Sequence, residues 1–332
     1  MFQNCCIVGK NVDPSAYHSQ RKERGDPAFE VSPSMLKEFA RCPSRWKAGY
    51  QGRETESKNF GSLVDCLLLT PDQFHKRYAI QPKTYASDGK KGADPETKPW
   101  NTNSNTCKAW VAAAKSKGQL SISEDDANEA NAACVRLLAD PLIEAWQEAC
   151  DKQVWVAGEW LDEATELVAP VRCLLDYAPR NDTEFANCLG DLKSSTSGDL
   201  RFFQRQVYQM GYHIQAAFDL ELFNQATKES RDHWCFIGVE NYHPYEPFKR
   251  MLDFSFIEIG KNQVVAALRR YCQCIKTGVW PGYDDNPDSV QGWGICAAEP
   301  WMTYNDLSDK LANEVSNTLT IEQKLDAAFG KE

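Results

Sequence analysis

An aspartate and a lysine separated by one leucine, Asp191-Leu192-Lys193, follow a short apolar lead-in and precede a cluster of serine, threonine and glycine. On a strand, side chains two apart point to one face, so Asp191 and Lys193 would converge while Leu192 turns into the core. A carboxylate can hold a divalent cation, and an ammonium beside it can hold a water or a phosphate oxygen. The acid-x-Lys pattern is not rare here: Glu56/Lys58, Asp88/Lys90, Glu96/Lys98 and Glu322/Lys324 share it. Three of those lie in polar stretches and the last in a helix-like tail. Only Asp191-Leu192-Lys193 sits between an apolar run and a helix-starting cluster. The competing reading is a solvated ion pair of little consequence.

The elements that would position this pair follow from periodicity. Residues 32–50 read as helix, with Ser32 or Ser34 as cap and Leu36, Phe39 and Trp46 near one face. Residues 59–80 continue as a second apolar helix, after which Pro71 opens a short one. The stretch 81–106 reads as a long loop, and 107–150 as two helices ending before Pro141. Beyond residue 150 the period changes. "QVWVAGEW", "ELVAPVRCLLDYAP" and "EFANCLGDLKSS" read as three strands. A helical pair follows, then strands "HWCFIGVEN" and "FKRMLDFSFI", and a helix ending near Gly278. Helices on a small mixed sheet make an α/β or α+β fold. Three regions are expected: a peripheral 1–30 segment, a main domain 31–290 with a helical insertion at about 81–150, and a tail helix 291–332. The tail carries Leu307, Leu311, Val315 and Leu319 as one apolar stripe.

Composition bounds the function. With 42% hydrophobic and 25% charged residues the chain is an ordinary globular protein. A net charge of −10 argues against a protein that coats nucleic acid over its whole surface, though not against a local basic groove. No apolar run approaches the roughly 20 residues of a membrane helix. The N-terminus makes a poor signal peptide, so a cytoplasmic protein is expected. The 13 cysteines then read as reduced thiols. Cys272-Gln273-Cys274 is a weak metal knuckle inside a helix-like stretch.

If the three strands form a meander, Asp176 in "LLDYAP" approaches Asp191 from a neighbouring strand. Two carboxylates and one lysine are the minimum for metal-assisted phosphodiester hydrolysis. Alternatively, Asp176 simply opens a turn before Pro179.

The order Asp176, then Asp191-x-Lys193, resembles the PD-(D/E)xK nuclease superfamily. The flanking segments resemble its RecE-like branch, the exonuclease VIII type of phage and prophage recombination enzymes. "SPSMLKEFARCPSRWK" is similar to that branch's leading helix, and "FGSLVDCLLLTPDQF" to its Gly-x-x-x-His segment and following helix. "VRCLLDYAP" and "LGDLKSST" match the catalytic strands, and "YQMGYHIQAAFDLELF" the helix after them. "VENYHPYEPF" and "KTGVWPGY" resemble the late strand and closing motif.

The resemblance implies a restriction-endonuclease-like core with a helical N-terminal elaboration. It implies a Mg²⁺-dependent (or Mn²⁺-dependent) exonuclease on double-stranded DNA ends, leaving 3′ tails for a single-strand annealing protein. A ring-like homo-oligomer is implied too. Asp176, Asp191 and the Leu192 carbonyl would hold metal, with Lys193 positioning the water. Asp65 stands where the family has histidine, and is read as a replacement ligand. Gln215 matches a helix glutamine that reaches the site, or is a surface amide. Arg172, four residues before Asp176 and so on the same face of the strand, is a candidate phosphate contact; Tyr212 and His213 are candidates for DNA contact, with half-buried core the equal alternative for Tyr212. So are Arg201 and Arg205, for which a solvated helix face is the blander reading. Two further readings stay open. One is an iron–sulfur relative using Cys42 with Cys272, Cys274 and Cys296, whose late spacing is poor. The other is a catalytically silent DNA-binding scaffold.

Overall fold

The computed structural model describes residues 1–19, 22–49, 56–87 and 96–284. The chain divides into two units, Met1–Trp280 and Pro281–Glu332. The second lies outside the described residues after Asp284, and with it the tail stripe from Leu307 to Leu319 and Cys296.

The first unit begins with β1 (Gln3–Gly9) and α1 (Pro14–His18), then α2 (Pro33–Arg41) and α3 (Pro43–Lys47). Sequence reasoning expected one helix across the last two. Pro43 divides them: it has no amide to donate and drives Cys42 to an extended φ of −163°. The cap is Ser32, whose hydroxyl accepts from the Met35 amide. Next come α4 (Glu56–Leu69), a 3₁₀ turn at Pro71–Gln73, α5 (Phe74–Arg77) and β2 (Tyr78–Ile80). The expected loop contains a short antiparallel pair, β3 (Thr84–Ala86) and β4 (Thr97–Pro99). Then follow α6 (Asn105–Ser116), β5 (Leu120–Ile122), α7 (Glu124–Leu138) and α8 (Pro141–Ala149). Pro141 does not merely end a helix. It occupies the first position of α8, where its missing amide costs nothing, and Asp140 caps that helix.

The sheet strands are β6 (Cys150–Asp162), β7 (Leu167–Pro179) and β8 (Cys188–Ser195). Helices α9 (Leu200–Gln209) and α10 (Tyr212–Thr227), strands β9 (His233–Glu240) and β10 (Pro247–Met251), and α11 (Phe254–Thr277) complete the unit. "FSFI" alternates like a strand but starts α11, because the Asp253 side chain accepts from the Ser255 amide and caps a helix there.

Six strands pair in the order β1-β6-β7-β8-β9-β10, antiparallel except for the parallel β8–β9 pair. This mixed sheet flanked by helices is a restriction-endonuclease-like architecture. Residues 1–30 are not peripheral. β1 forms the sheet edge on β6, and Phe2 and Phe29 are buried. The sheet has a hydrophobic core on each side, as alternation along its strands demands. Leu189, Trp234 and Phe236 join one core with Leu36, Phe39, Trp46 and residues of α9, α10 and α11. Cys188, Leu192, Ile237 and Val239 join the other with residues of α4, α7 and α8.

The twelve cysteines among the described residues are free thiols. Cys272 and Cys274 lie two apart on α11, and both are buried in the first core. Among the described residues no helix is long and apolar enough to cross a membrane.

Candidate active site

Alternation on β8 sends Leu192 into the second core and leaves Asp191 and Lys193 together on the other face. Asp191 is 3% exposed. A carboxylate so buried needs a cation, and the Lys193 ammonium supplies one by pairing with its Oδ2. Lys193 also donates to the Leu192 carbonyl at 3.4 Å, the same oxygen named from sequence as a candidate ligand. Burial pulls the Lys193 pKa down, but Asp191 and Asp176 outweigh it and leave the ammonium above the ordinary lysine range.

Asp176 arrives from β7 at a break in the ladder. β6 pairs Lys152 with Tyr177 and Val154 with Leu175, and Gln153 between them has a φ of +46°. The register is the same on both sides, and only the Gln153–Asp176 pair is missing from the ladder. At this break the two acceptor oxygens of Asp176 turn to other partners. Gln153 Nε2 donates to Oδ1 at 3.0 Å, and the Leu192 amide donates to Oδ2 at 3.0 Å. The second bond locks Asp176 against the backbone between Asp191 and Lys193. Burial first, then the charges of Asp191 and Asp65, push the Asp176 pKa well above the usual carboxylate range.

Two helices close the site. From α10, Gln215 Nε2 donates to Asp191 Oδ1 at 3.1 Å, so Gln215 is no surface amide. From α4 comes Asp65. The helix reaches β8 closely because residue 61 is glycine, where a Cβ would stand 2.7 Å from Ser194 Oγ. Burial lifts the Asp65 pKa to about 7; Lys193 lowers it and Asp191 raises it. Asp65, Asp176, Gln215 and Asp219 line one cavity of about 290 Å³, with Arg77 and His18 at its wall.

Asp219 was not foreseen. It is 1% exposed and its Oδ1 has no hydrogen-bond partner. Burial, then Asp191, drive its pKa well above the carboxylate range. The available signal was its place four residues after Gln215, on the same helix face. Lys37 on α2 was also missed: its Nζ lies 5.7 Å from the centre of the Tyr212 ring, and Lys193 Nζ lies 5.1 Å from it.

Residues 32–291 match a family described as "PDDEXK-like domain of unknown function (DUF3799)". The chain belongs to this family. Membership in a PDDEXK-like family supports a nuclease, a hydrolase of phosphodiester bonds. Among solved structures, the chain is similar to the crystal structure of a "Putative exonuclease" from Eubacterium rectale. The two share 15% identity and a TM-score of 0.53, over 89% of this chain and 98% of that one. At that identity the likeness concerns the fold. No curated protein matches the sequence.

In this PDDEXK-like chain the expected DNA-contact residues separate. Arg172 does face the same side of β7 as Asp176, but Tyr17 and Glu30 roof it. It is 2% exposed, its guanidinium lies 4.5 Å from the Tyr17 ring centre, and it pairs with Glu30 at 3.2 Å. It presents no donor to a phosphate. His213 is buried as well, with Nδ1 at 3.2 Å from the Val207 carbonyl and Nε2 at 2.7 Å from Gln263 Oε1. Its role is packing. Tyr212 is half-buried beside Phe203 and Phe236, with both lysines over its ring. Arg201 and Arg205 are exposed on α9.

Among the described residues no three carboxylate, imidazole or thiolate groups stand close enough to hold one metal ion as they are placed. The donor chemistry nonetheless fits a hard divalent cation. Three carboxylates share the cavity, one keeps an orphaned buried oxygen, and Lys193 is already committed to Asp191.

Proposed function

We propose that this chain is a metal-dependent exodeoxyribonuclease acting on the ends of linear double-stranded DNA. The observation that carries the reading is the convergence of Asp176 and Asp191-Leu192-Lys193 across adjacent strands. There the Leu192 amide bonds to Asp176, and Lys193 pairs with Asp191. Asp65, Asp176, Asp191 and the Leu192 carbonyl would hold Mg²⁺ or Mn²⁺. When bound, that ion supplies neutralisation of the phosphodiester charge and activation of a water.

The chain's own groups do the rest. Gln215 fixes which Asp191 oxygen is free to turn toward the substrate. Gln153 and the Leu192 amide each hold one oxygen of Asp176 and so fix the plane of its carboxyl group. Lys193, released from Asp191 as substrate enters, donates to the attacking water or to a non-bridging phosphate oxygen where negative charge grows. Asp219, buried and carrying a raised pKa, is suited to accept a proton at Oδ1 or to orient a water in the cavity.

The resemblance to RecE-like enzymes extends the reading to resection of the 5′-ended strand, a 3′ tail passed to an annealing protein, and a ring-like homo-oligomer around the duplex. The test is digestion of linear, 5′-labelled duplex with Mg²⁺, with EDTA and with Asp191→Ala. Metal-dependent loss of 5′-terminal nucleotides, absent from the variant, is the expected result. A chain that cuts no linear duplex with either Mg²⁺ or Mn²⁺ would overturn the exonuclease reading and favour a silent DNA-binding member of the family.

A further inference from the structure

Beside the acidic cavity lies a second depression of different character. It has a volume of about 430 Å³ and runs between α2, the α9–α10 junction and α11. Lys37, Arg41 and Arg270 line it, and no carboxylate does, in a chain of net charge −10. Arg41 is held by the Gln209 carbonyl at 3.0 Å and by Glu38 at 3.3 Å, a half-exposed pair of little strength.

Lys37 joins this groove to the site. Its stem packs on Gly211, where φ is +65° and a Cβ would stand 2.9 Å from Lys37 Cδ. A side chain at residue 211 would be strained by the backbone and would push the lysine away. The ammonium shares the Tyr212 ring with Lys193. Unlike Lys193, it has no carboxylate within ion-pair distance among the described residues. Asp191 and Asp219 act on the ammonium only from beyond ion-pair distance, so this half-buried cation beside Lys193 has no ion pair of its own and can take an anion from outside.

The end of α9 supplies the same groove with an aromatic surface. Tyr208 is 59% exposed, and its ring stacks on His213 with 5.4 Å between centroids and 9° between planes. His213 is itself fixed by the Val207 carbonyl and Gln263. Tyr208 is therefore a rigid ring with one face covered and the other toward solvent. Such a ring stacks on any base, but only on a base that has left its own helix.

We propose that this groove binds one single strand of DNA leading to the active site, with Lys37 on the phosphodiester next to the scissile one and Tyr208 stacked on a base. The proposal rests on the nuclease reading and goes beyond it by assigning the path of a strand. Arg41 and Arg270 track the backbone electrostatically, and Met210 gives apolar contact at the exit.

The experiment is binding of a short fluorescein-labelled oligothymidylate to the full chain in EDTA, across a salt series. Lys37→Met is expected to weaken binding roughly tenfold and to lower the salt slope by about 0.7, the value for one lost phosphate contact on a single strand. Tyr208→Ala is expected to weaken it roughly fivefold to a hundredfold with the slope unchanged. Lys37→Arg retains the wild-type slope. Wild-type affinity and slope in Lys37→Met and Tyr208→Ala overturn the proposal, as does equal dependence on Tyr208 for a blunt duplex. Should Lys37→Met lose its circular-dichroism signature, Tyr208→Ala and Lys37→Arg carry the test, since the first alters an exposed ring and the second keeps the charge. Digestion is assayed separately. An active nuclease whose strand binding ignores Lys37 and Tyr208 sinks the groove alone; Lys37-dependent binding by a chain that cuts nothing sinks the nuclease reading alone.

Discussion

Gln215 Nε2 donates to Asp191 Oδ1 at 3.1 Å, so that α10 and β8 meet on one carboxylate while Lys193 holds the other oxygen of the same group. Asp191 is thus oriented from two sides. Replacing Gln215 by Ala leaves the charge pattern intact but removes one of these holds. Loss of an outer partner of this kind lowers metal affinity or turnover by roughly 10- to 100-fold. Steady-state digestion as a function of Mg²⁺ concentration measures it; unchanged Mg²⁺ dependence would show that Gln215 is a bystander.

The crowding of Asp65, Asp176 and Asp219 around one cavity makes the metal-free fold pay for like charges. Saturating Mg²⁺ should therefore raise the melting temperature, since a ligand at about 100 times its Kd stabilises by ~2.7 kcal/mol. Asp65→Asn should melt higher than wild type in EDTA and respond less to Mg²⁺. Thermal scans of the two proteins with and without the cation decide it, and an Asp65→Asn protein with the full Mg²⁺ response removes Asp65 from the ligand set.

Gly61 is where α4 comes down on β8. Alanine in a helix interior ordinarily gains up to about 1 kcal/mol over glycine, but here its Cβ meets Ser194 Oγ. Gly61→Ala is expected to destabilise by about 1–2 kcal/mol, the cost of overpacking. Ser194→Ala should relieve that clash. Urea unfolding of both single variants and the double then yields a favourable coupling; strict additivity would mean that the helix has room to spare.

Asp140 caps α8 by accepting from the Leu142 and Ile143 amides at 3.0 and 3.2 Å, and pairs with Lys249. The Lys249 hydrogen bond first, then the cap amides, hold its pKa below the usual aspartate value. A carboxyl depressed in the folded state stabilises above its unfolded pKa of about 3.9, and that contribution fades as pH falls through the lower folded value. Asp140→Ala should cost about 1 kcal/mol at pH 7 and progressively less on acidification. Chemical unfolding at neutral pH and near pH 3 checks the sign.

Much of the catalytic half could be read from the chain because it obeys period two. Leu192 faces the core and its neighbours do not, as alternation requires, and β6 and β7 lie where β-branched and aromatic residues cluster. Arg172 shows the limit of the same rule. Alternation gave its face correctly, but burial depends on what a distant segment lays over that face, and Tyr17 and Glu30 come from 155 and 142 residues away. Asp219 was hidden for a related reason. It sits among Ala216, Ala217, Phe218 and Leu220, where nothing in composition marks one acid as part of a site. β1 went unseen because an edge strand buries little: Cys5 and Ile7 are only half-buried against the core, and the apolar run from Cys5 to Val8 is four residues long.

The two cores flanking the sheet draw on different stretches of chain. Asp65 belongs to the layer of α4, α7 and α8, whereas Gln215 and Asp219 belong to α10 on the other layer. Local openings in a protein follow cooperative units of this size. Opening of either layer dismantles the constellation while most strand pairings persist. Full secondary structure is then no guarantee of a working site: the last layer to dock during folding, and the first to fray on warming, sets when cutting starts and when it stops.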